Sequence, residues 1–344
     1  MNEKRFSWSI SWLNSVLSVL IVMIHTNFEG KYSEILPGYG LYLNMQKTIA
    51  IFADCAVAAF FIISAYLFFR NFEMNIYIRR LRNKFHTLCI PYIMWSIIGL
   101  TYKMIVSKEI RSEILGGGYN LIKAILYSNG NQPLWFLKTL MIFTVISPII
   151  YIILKLSKYT VFLIPSMIIV VLFMAPGYAT SLFWIPVYLI GAYFGIYKKR
   201  FIEEKGFISS NRKVRLLFLI LNVVLLIGIF SYGVAFRNNW RLYYIYRMLS
   251  GLCIVFLFLQ IKWKTVAPKY MQNTFFTYCT HACIVGISTK VCALIFDANV
   301  ISMIFGYFVS VVVTVGISIV IAETMKRCCP RLLSVLTGNR KERN

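Results

Sequence analysis

Six ionisable side chains lie inside, or at the end of, long apolar segments of this sequence. They are His25, Asp54, Lys138, Arg247, His281 and Lys290. An ionised side chain in the hydrocarbon region of a bilayer costs about 2.5–3.5 kcal/mol or more on insertion scales. If the apolar segments cross a membrane, these six residues are therefore the first candidates for catalysis or binding.

His25 and Asp54 could together form a general base. His25 lies near the end of the first apolar segment, and Asp54 lies about two turns into the second, which runs back in the opposite direction. We expect the two side chains at similar depth. A carboxylate beside an imidazole orients the ring and raises its basicity, which suits deprotonation of a hydroxyl group. The alternative is a hydrogen bond that only packs two helices together.

The other ionisable residues suggest a polar cavity. Lys138, Arg247 and Lys290 are expected in the outer half of the membrane, where they could line a site for an oxygen-rich or anionic acceptor. The alternative for each is a side chain that extends to the interface. His281 is expected nearer the inner side, where it either faces a path from the cytoplasm or packs between helices.

A basic cluster follows the second apolar segment. Its candidates for binding a donor are Arg79, Arg82 and Lys84. Such a cluster anchors the chain at the inner face of a membrane, and it could also hold phosphate groups of a cytosolic cofactor, for which the arginine fork is well suited. Composition does not separate these two interpretations.

The elements that carry these residues are predicted to be membrane helices. The 344 residues are 59% hydrophobic and 14% charged, whereas soluble domains contain about 25% charged residues. The net charge of +24 is spread over short segments between apolar runs, which argues against a nucleic-acid-binding face. The cysteines form no ligand set with histidine, so we expect no metal site.

Ten apolar segments predict an all-α integral membrane protein, a bundle of about ten transmembrane helices forming one domain over residues 1–344. The segments are residues 8–27, 48–69, 88–106, 134–154, 159–174, 181–197, 214–233, 243–261, 274–296 and 300–322. With the N-terminus inside, the inner loops hold 25 Lys and Arg and the outer loops nine. This asymmetry predicts that both termini are cytoplasmic. The longest connection, residues 107–133, is glycine-rich in places and is expected to be a flexible outer loop.

Several segments resemble, in order, the motifs of the membrane-bound acyltransferase 3 family. They are residues 19–25 ending in His25, residues 60–67 (Phe-Phe-Ile-Ile-Ser-Ala-Tyr-Leu), the Arg-x-x-Arg spacing of Arg79 and Arg82, residues 90–92 (Ile-Pro-Tyr), residues 133–137 (Pro-Leu-Trp-Phe-Leu, with Trp135) and residues 275–281 (Phe-Phe-Thr-Tyr-Cys-Thr-His).

This resemblance implies transfer of an acyl group, commonly acetyl, from cytoplasmic acyl-CoA (acetyl-CoA) to a hydroxyl group of a cell-envelope or exported glycan. It implies that His25 acts as the general base or carries the acyl group, and that Arg79 and Arg82 belong to the donor side. The expected location is the cytoplasmic membrane. The sequence does not indicate an oligomeric state.

Two positions depart from the family pattern. Asn14 and Ser11 stand where the family usually has a basic residue and an Asp, eleven and fourteen residues before the His. Asn14 cannot supply the positive charge, so Lys138 or another cation would have to compensate. Ala65 replaces a Gly, which crowds a close helix approach. A catalytically degenerate relative that transports a small polar solute is therefore the alternative function.

Overall fold

The computed structural model describes residues 3–27, 39–116, 121–127, 130–156, 160–205, 211–296 and 299–340. Helices make up almost all of these ranges. The α-helices are α1 Glu3–His25, α2 Tyr39–Ala53, α3 Cys55–Phe69, α4 Tyr77–Lys84, α5 Ile90–Val106, α6 Lys108–Leu115, α7 Leu121–Leu126, α8 Trp135–Val145, α9 Ser147–Leu156, α10 Thr160–Met174, α11 Ser181–Tyr197, α12 Arg212–Ala235, α13 Trp240–Gln260, α14 Thr274–Ile295, α15 Val300–Cys328 and α16 Pro330–Thr337.

The predicted membrane bundle is confirmed. Within the described ranges, seven helices are long and apolar enough to cross a membrane, and the pair α8 and α9, bent by 56°, forms an eighth candidate. Two shorter apolar helices, Phe162–Met174 and Ser181–Tyr197, account for the remaining predicted segments. The second span is longer than predicted, because α2 and α3 together form a membrane helix over Tyr39–Phe69.

Helix α3 lies at the centre of the bundle and packs against α11 and α13. Its neighbours approach through glycines: a Cβ on Gly191 would lie 2.2 Å from the carbonyl oxygen of Ile62, and one on Gly251 would lie 2.5 Å from the Cβ of Ala58. Small residues let membrane helices pack closely. Ala65 also faces Gly191, so the close approach expected at that position is provided by the opposite helix.

Helix α12 lies at the edge of the bundle. Only Gly233 is fully buried within it, and its aliphatic side chains, such as Leu217 and Ile227, are more than half exposed. A helix that is apolar on its exposed face suits a lipid environment. This surface fits the bilayer that the composition predicts.

The connection between α5 and α8 is more ordered than predicted. It contains α6 and α7, and its end, the segment 130–134, packs deep in the bundle. A Cβ on Gly130 would lie 2.7 Å from the carbonyl oxygen of Ser96 in α5, and Asn131 Nδ2 donates to the carbonyl of Cys279 in α14 at 2.9 Å. The expectation of a wholly flexible loop is therefore wrong for this part, because Gly130 permits close packing.

Candidate functional site

A cavity of about 520 Å³ lies at the end of the bundle where α1 ends and α13 begins. We call it the His25 cavity. Its lining includes His25, Asp54, Trp135, Tyr178 and Arg247. Four separate segments of the chain supply these side chains besides α1, so the site exists only once the bundle has formed.

The imidazole of His25 is held in one tautomer. Its Nδ1 lies 2.9 Å from the carbonyl oxygen of Ile21, one turn earlier in α1. A carbonyl oxygen can only accept, so Nδ1 carries the hydrogen and Nε2 carries the lone pair. The side chain is exposed to the cavity. His25 is thus equipped to accept a proton at Nε2.

His281 lies against His25, with ring centroids 4.8 Å apart and an edge-to-face orientation. Its Nδ1 donates to the carbonyl of Tyr278 at 2.6 Å. The residue is fully buried, and its Nε2 has no hydrogen-bond partner among the described residues. His281 therefore belongs to the site beside His25 rather than to a separate path from the other face.

The carboxylate of Asp54 faces the same cavity as His25 but has other partners. Arg247 Nε donates to Asp54 Oδ2 at 2.5 Å, and the Tyr178 hydroxyl donates to Oδ1 at 3.2 Å. The predicted common cavity is present, yet the hydrogen bonds described for Asp54 do not include the imidazole. Asp54 pairs with Arg247 because a buried carboxylate is most stabilised by an opposite charge.

Aromatic rings surround this ion pair. The guanidinium carbon of Arg247 lies 4.5 Å from the ring centroid of Tyr178 and 4.5 Å from that of Tyr243. Such contacts stabilise a desolvated cation. Removal from water and the negative charge of Asp54 hold the pKa of Tyr178 well above its ordinary value. Tyr178 therefore stays protonated and can keep donating to Asp54.

A second cavity, of about 460 Å³, lies toward the other end of α1. We call it the Lys84 cavity. Its lining includes Ser11, Asn14, Lys84, Lys326 and Arg340. These residues come from α1, the end of α4, the end of α15 and the segment after α16.

Asn14 belongs to the Lys84 cavity and not to the His25 cavity. Eleven helical residues separate it from His25, which corresponds to about 16 Å along α1. A positive charge at position 14 would therefore act on whatever occupies the Lys84 cavity. That charge is available in the same cavity from Lys84, Lys326 and Arg340.

The two cavities share a wall of three aromatic side chains. Phe60, Phe136 and Tyr278 line both of them. The rings of Phe60 and Phe136 are 6.1 Å apart, and those of Phe136 and Tyr278 are 6.0 Å apart. Tyr278 is fixed by a hydrogen bond to the carbonyl of Pro133. His281, whose Nδ1 bonds the Tyr278 carbonyl, thus connects this wall to His25.

Comparison with known proteins identifies the family. Residues 8–323 match the family model of the acyltransferase 3 domain, described as an acyltransferase domain. The chain belongs to the acyltransferase 3 family. It is also similar to the succinoglycan biosynthesis protein ExoH of Rhizobium meliloti (strain 1021), with 23% identity over 98% of this chain and 94% of that protein. No solved structure matches significantly.

Two residues predicted because they are ionisable and lie within apolar segments, Lys138 and Lys290, are outside both cavities. Lys138 is placed with its Nζ 5.0 Å from the ring centroid of Tyr127, and Lys290 is exposed on α14. Neither lines either cavity. The expectations that Lys138 compensates for Asn14 and that Lys290 lines the acceptor site are therefore corrected, because both helices turn these side chains elsewhere.

Of the basic cluster predicted for the donor side, one residue lines a cavity and two do not. Lys84 lines the Lys84 cavity, whereas Arg79 and Arg82 are exposed on α4 and line neither cavity. Arg80 instead caps the C-terminal end of α3, where its guanidinium donates to the carbonyls of Phe68 and Asn71. Only one residue of the predicted donor set is thus placed to touch a ligand in this acyltransferase 3 member.

Two cavity residues could not be recognised from the sequence. Tyr178 lies in an uncharged turn between α10 and α11, where no motif marks it, and Arg340 counted only as one of the positive charges near the C-terminus. Both reach their cavities through contacts with residues far away in the chain. A single sequence carries no signal for such contacts.

Proposed function

We propose that this protein transfers an acyl group, acetyl in the simplest case, from a coenzyme A thioester to a hydroxyl group of a cell-envelope or exported glycan. Membership of the acyltransferase 3 family supports the class of reaction. The part that a similar protein has in succinoglycan biosynthesis supports a glycan as the acceptor.

The observation that carries this proposal is that the two cavities lie on opposite sides of one aromatic wall. A thioester with a long, thin pantetheine arm can enter the Lys84 cavity and bring its acyl group to the wall formed by Phe60, Phe136 and Tyr278. On the far side, His25 faces the space that an acceptor would occupy. Donor and acceptor thus approach one point from opposite ends of the bundle.

The charge distribution supports an orientation for this transfer. The Lys84 cavity is lined by basic residues from two segments rich in Lys and Arg, residues 79–84 and 326–340, and such segments favour the cytoplasmic side of a membrane. In this orientation both termini are cytoplasmic and the donor comes from the cytoplasm. The His25 cavity then faces the exterior of the cytoplasmic membrane, where an exported glycan is available.

The proposed chemistry uses His25 as the general base. Nε2 takes the proton of the acceptor hydroxyl, and the oxygen attacks the thioester carbonyl carbon. The carbon–sulfur bond then breaks, and the thiolate leaves and takes up the proton from the imidazolium. If His25 carries the acyl group instead, Nε2 attacks the thioester carbon, the carbon–sulfur bond breaks and the thiolate leaves. The acceptor hydroxyl then attacks the acyl group on Nε2, the carbon–nitrogen bond breaks to restore the imidazole, and the hydroxyl proton is released to balance the thiolate.

The test is transfer of label from acetyl-CoA to candidate glycans by the purified protein in nanodiscs. We expect His25→Gln to lower the rate by about 100-fold or more, because a general base contributes about 10²–10⁴-fold. His86→Gln is the matched control, since His86 is exposed and lines neither cavity. Its rate should equal that of the wild type.

Two results would contradict the proposal. Transfer that survives His25→Gln at the wild-type rate would exclude the mechanism. A wild-type protein that binds no acyl-CoA but takes up a small polar solute into vesicles would instead indicate a transporter. Label retained on the wild-type protein after removal of acetyl-CoA, and lost in His25→Gln, would indicate the acyl-imidazole route.

A further inference from the structure

The Lys84 cavity has an uncompensated positive charge. Among the described residues that line it, Lys84, Lys326 and Arg340 are cationic and none is a carboxylate. Lys326 is paired with Glu323 at 2.6 Å. Lys84 and Arg340 line the same cavity and have no carboxylate partner among the described residues.

The C-terminal segment is folded so that Arg340 is held at this cavity. Trp95 Nε1 in α5 donates to the carbonyl of Leu336 at the end of α16, at 2.9 Å. Gly338 then turns the chain with a φ of 65°, and a Cβ there would lie 2.7 Å from the backbone of Thr87. Only glycine suits both the left-handed conformation and the contact. The turn directs the next residues back toward α4.

The side chain of Arg340 is itself positioned by specific contacts. Its guanidinium carbon lies 3.4 Å from the ring centroid of Phe275, at the start of α14. Its Nη1 donates to the carbonyl of Thr337 at 2.6 Å. A guanidinium held over an aromatic ring by a cation–π contact still has N–H groups that can bind an anion.

The same cavity contains a second feature that points to a ligand. Asn14 Oδ1 is buried and has no hydrogen-bond partner among the described residues. A buried polar atom without a partner costs about 1–3 kcal/mol. One cavity thus holds two cations without a carboxylate partner and one amide oxygen without a donor. This combination suggests a ligand with anionic groups and an N–H donor.

We propose that Arg340 and Lys84 bind phosphate groups of the nucleotide part of the acyl donor. This inference rests on the proposed function, and it adds a contact that comes from the C-terminal segment of this chain. Residue 340 lies beyond the residues 8–323 that match the family model. The fork of Arg340 and the ammonium group of Lys84 would bind phosphate oxygens through charge-assisted hydrogen bonds.

The test compares ligands with and without phosphate, using the full-length protein in nanodiscs of zwitterionic lipid. Calorimetry would measure binding of coenzyme A, of adenosine 3′,5′-bisphosphate and of pantetheine, which has no phosphate. We expect Arg340→Gln and Lys84→Gln each to weaken the binding of coenzyme A and of adenosine 3′,5′-bisphosphate by about tenfold or more. Pantetheine should bind all variants equally, which also shows that they are folded.

Arg331→Gln is the matched control, because Arg331 is an exposed arginine of α16 that does not line the cavity. Equal binding of coenzyme A by Arg340→Gln and wild type, with transfer intact, would overturn the inference and leave the proposed function standing. If Arg340→Gln loses adenosine bisphosphate binding but the wild type transfers no acyl group, the inference on Arg340 would stand and the proposed function would be overturned. Abolition of nucleotide binding by added phosphatidylglycerol would indicate a lipid headgroup instead, and would overturn the inference.

Discussion

At the residue scale, the ion pair of Asp54 and Arg247 forms one wall of the His25 cavity. Removing one member of a buried pair leaves the other charge uncompensated and costs about 3–5 kcal/mol. We therefore expect Asp54→Asn and Arg247→Gln each to lower the melting temperature of the purified protein strongly. The double variant should be much more stable than the sum of the two losses predicts.

The double-mutant cycle formed by these variants also separates two roles for Asp54, pairing with Arg247 and orienting His25. If the carboxylate acts mainly on Arg247, the coupling free energy between the two substitutions should reach about 1–3 kcal/mol. If the losses of unfolding free energy in the two single variants simply add in the double variant, the two side chains do not stabilise each other. Orientation of His25 would then be the better explanation for the carboxylate of Asp54. Thermal unfolding in one detergent, followed for all four proteins, measures the coupling.

The residue scale also shows what a sequence can predict about such a site. His25, Asp54, Arg247 and His281 are recognisable because an ionisable group inside an apolar segment is costly. The similar depth of His25 and Asp54 follows roughly from their position in each helix, whereas His281 lies beside His25 and not nearer the inner side as expected. Which partner each one meets does not follow, because that depends on the rotation of helices far apart in the chain: Asp54 and Arg247 are 193 positions apart.

At the element scale, the segment 130–134 is the part that the sequence predicts worst. Its Asn and Gly residues indicate a flexible turn, yet the segment is packed between α5 and α14 and leads directly into Trp135 and Phe136 of α8. Glycine has two uses that look alike in a sequence, freedom of the backbone and close packing. Here close packing decides the structure.

Gly130→Ala should therefore disturb both cavities. The new Cβ would lie 2.5 Å from the backbone nitrogen of Leu100, so the segment must move away from α5. We expect a loss of about 1–3 kcal/mol in unfolding free energy, as for other overpacked positions, and a lower transfer rate.

Gly228→Ala is the control for this substitution, since beyond the adjoining residues and the backbone of α12 itself no described atom lies within 4 Å of a Cβ built at Gly228. Its melting temperature should equal or slightly exceed that of the wild type, because alanine favours a helix over glycine. Equal melting temperatures for Gly130→Ala and Gly228→Ala would show that the contact with α5 is not needed.

At the scale of the whole molecule, hydropathy predicts an all-α membrane bundle, and the structure confirms it, with seven candidate spans, or eight with the bent pair, among the described residues. The two cavities do not follow from hydropathy. Helix α3 packs closely on α11 and α13 through Gly191 and Gly251, and its Phe60 lines both cavities together with Phe136 of α8. The wall between the cavities is a property of the complete bundle.

This wall should select the length of the acyl group. Phe60 lines both cavities, so in the proposed reaction an acyl chain passes beside its ring. Phe60→Ala removes that ring and widens the passage. One methylene in an apolar pocket changes selectivity by about 10–200-fold, and we expect the ratio of butyryl to acetyl transfer to rise by about tenfold. Parallel rate measurements with butyryl-CoA and acetyl-CoA would give this ratio.

The matched control is Phe173→Ala, because Phe173 is 81% exposed and lines neither cavity. Its ratio should equal that of the wild type. A fall in both rates by one factor in Phe60→Ala would indicate a folding defect, and the thermal unfolding curve would reveal it. An unchanged ratio in a stable Phe60→Ala protein would mean that the acyl group does not pass Phe60, because a chain in contact with the ring must respond to its removal.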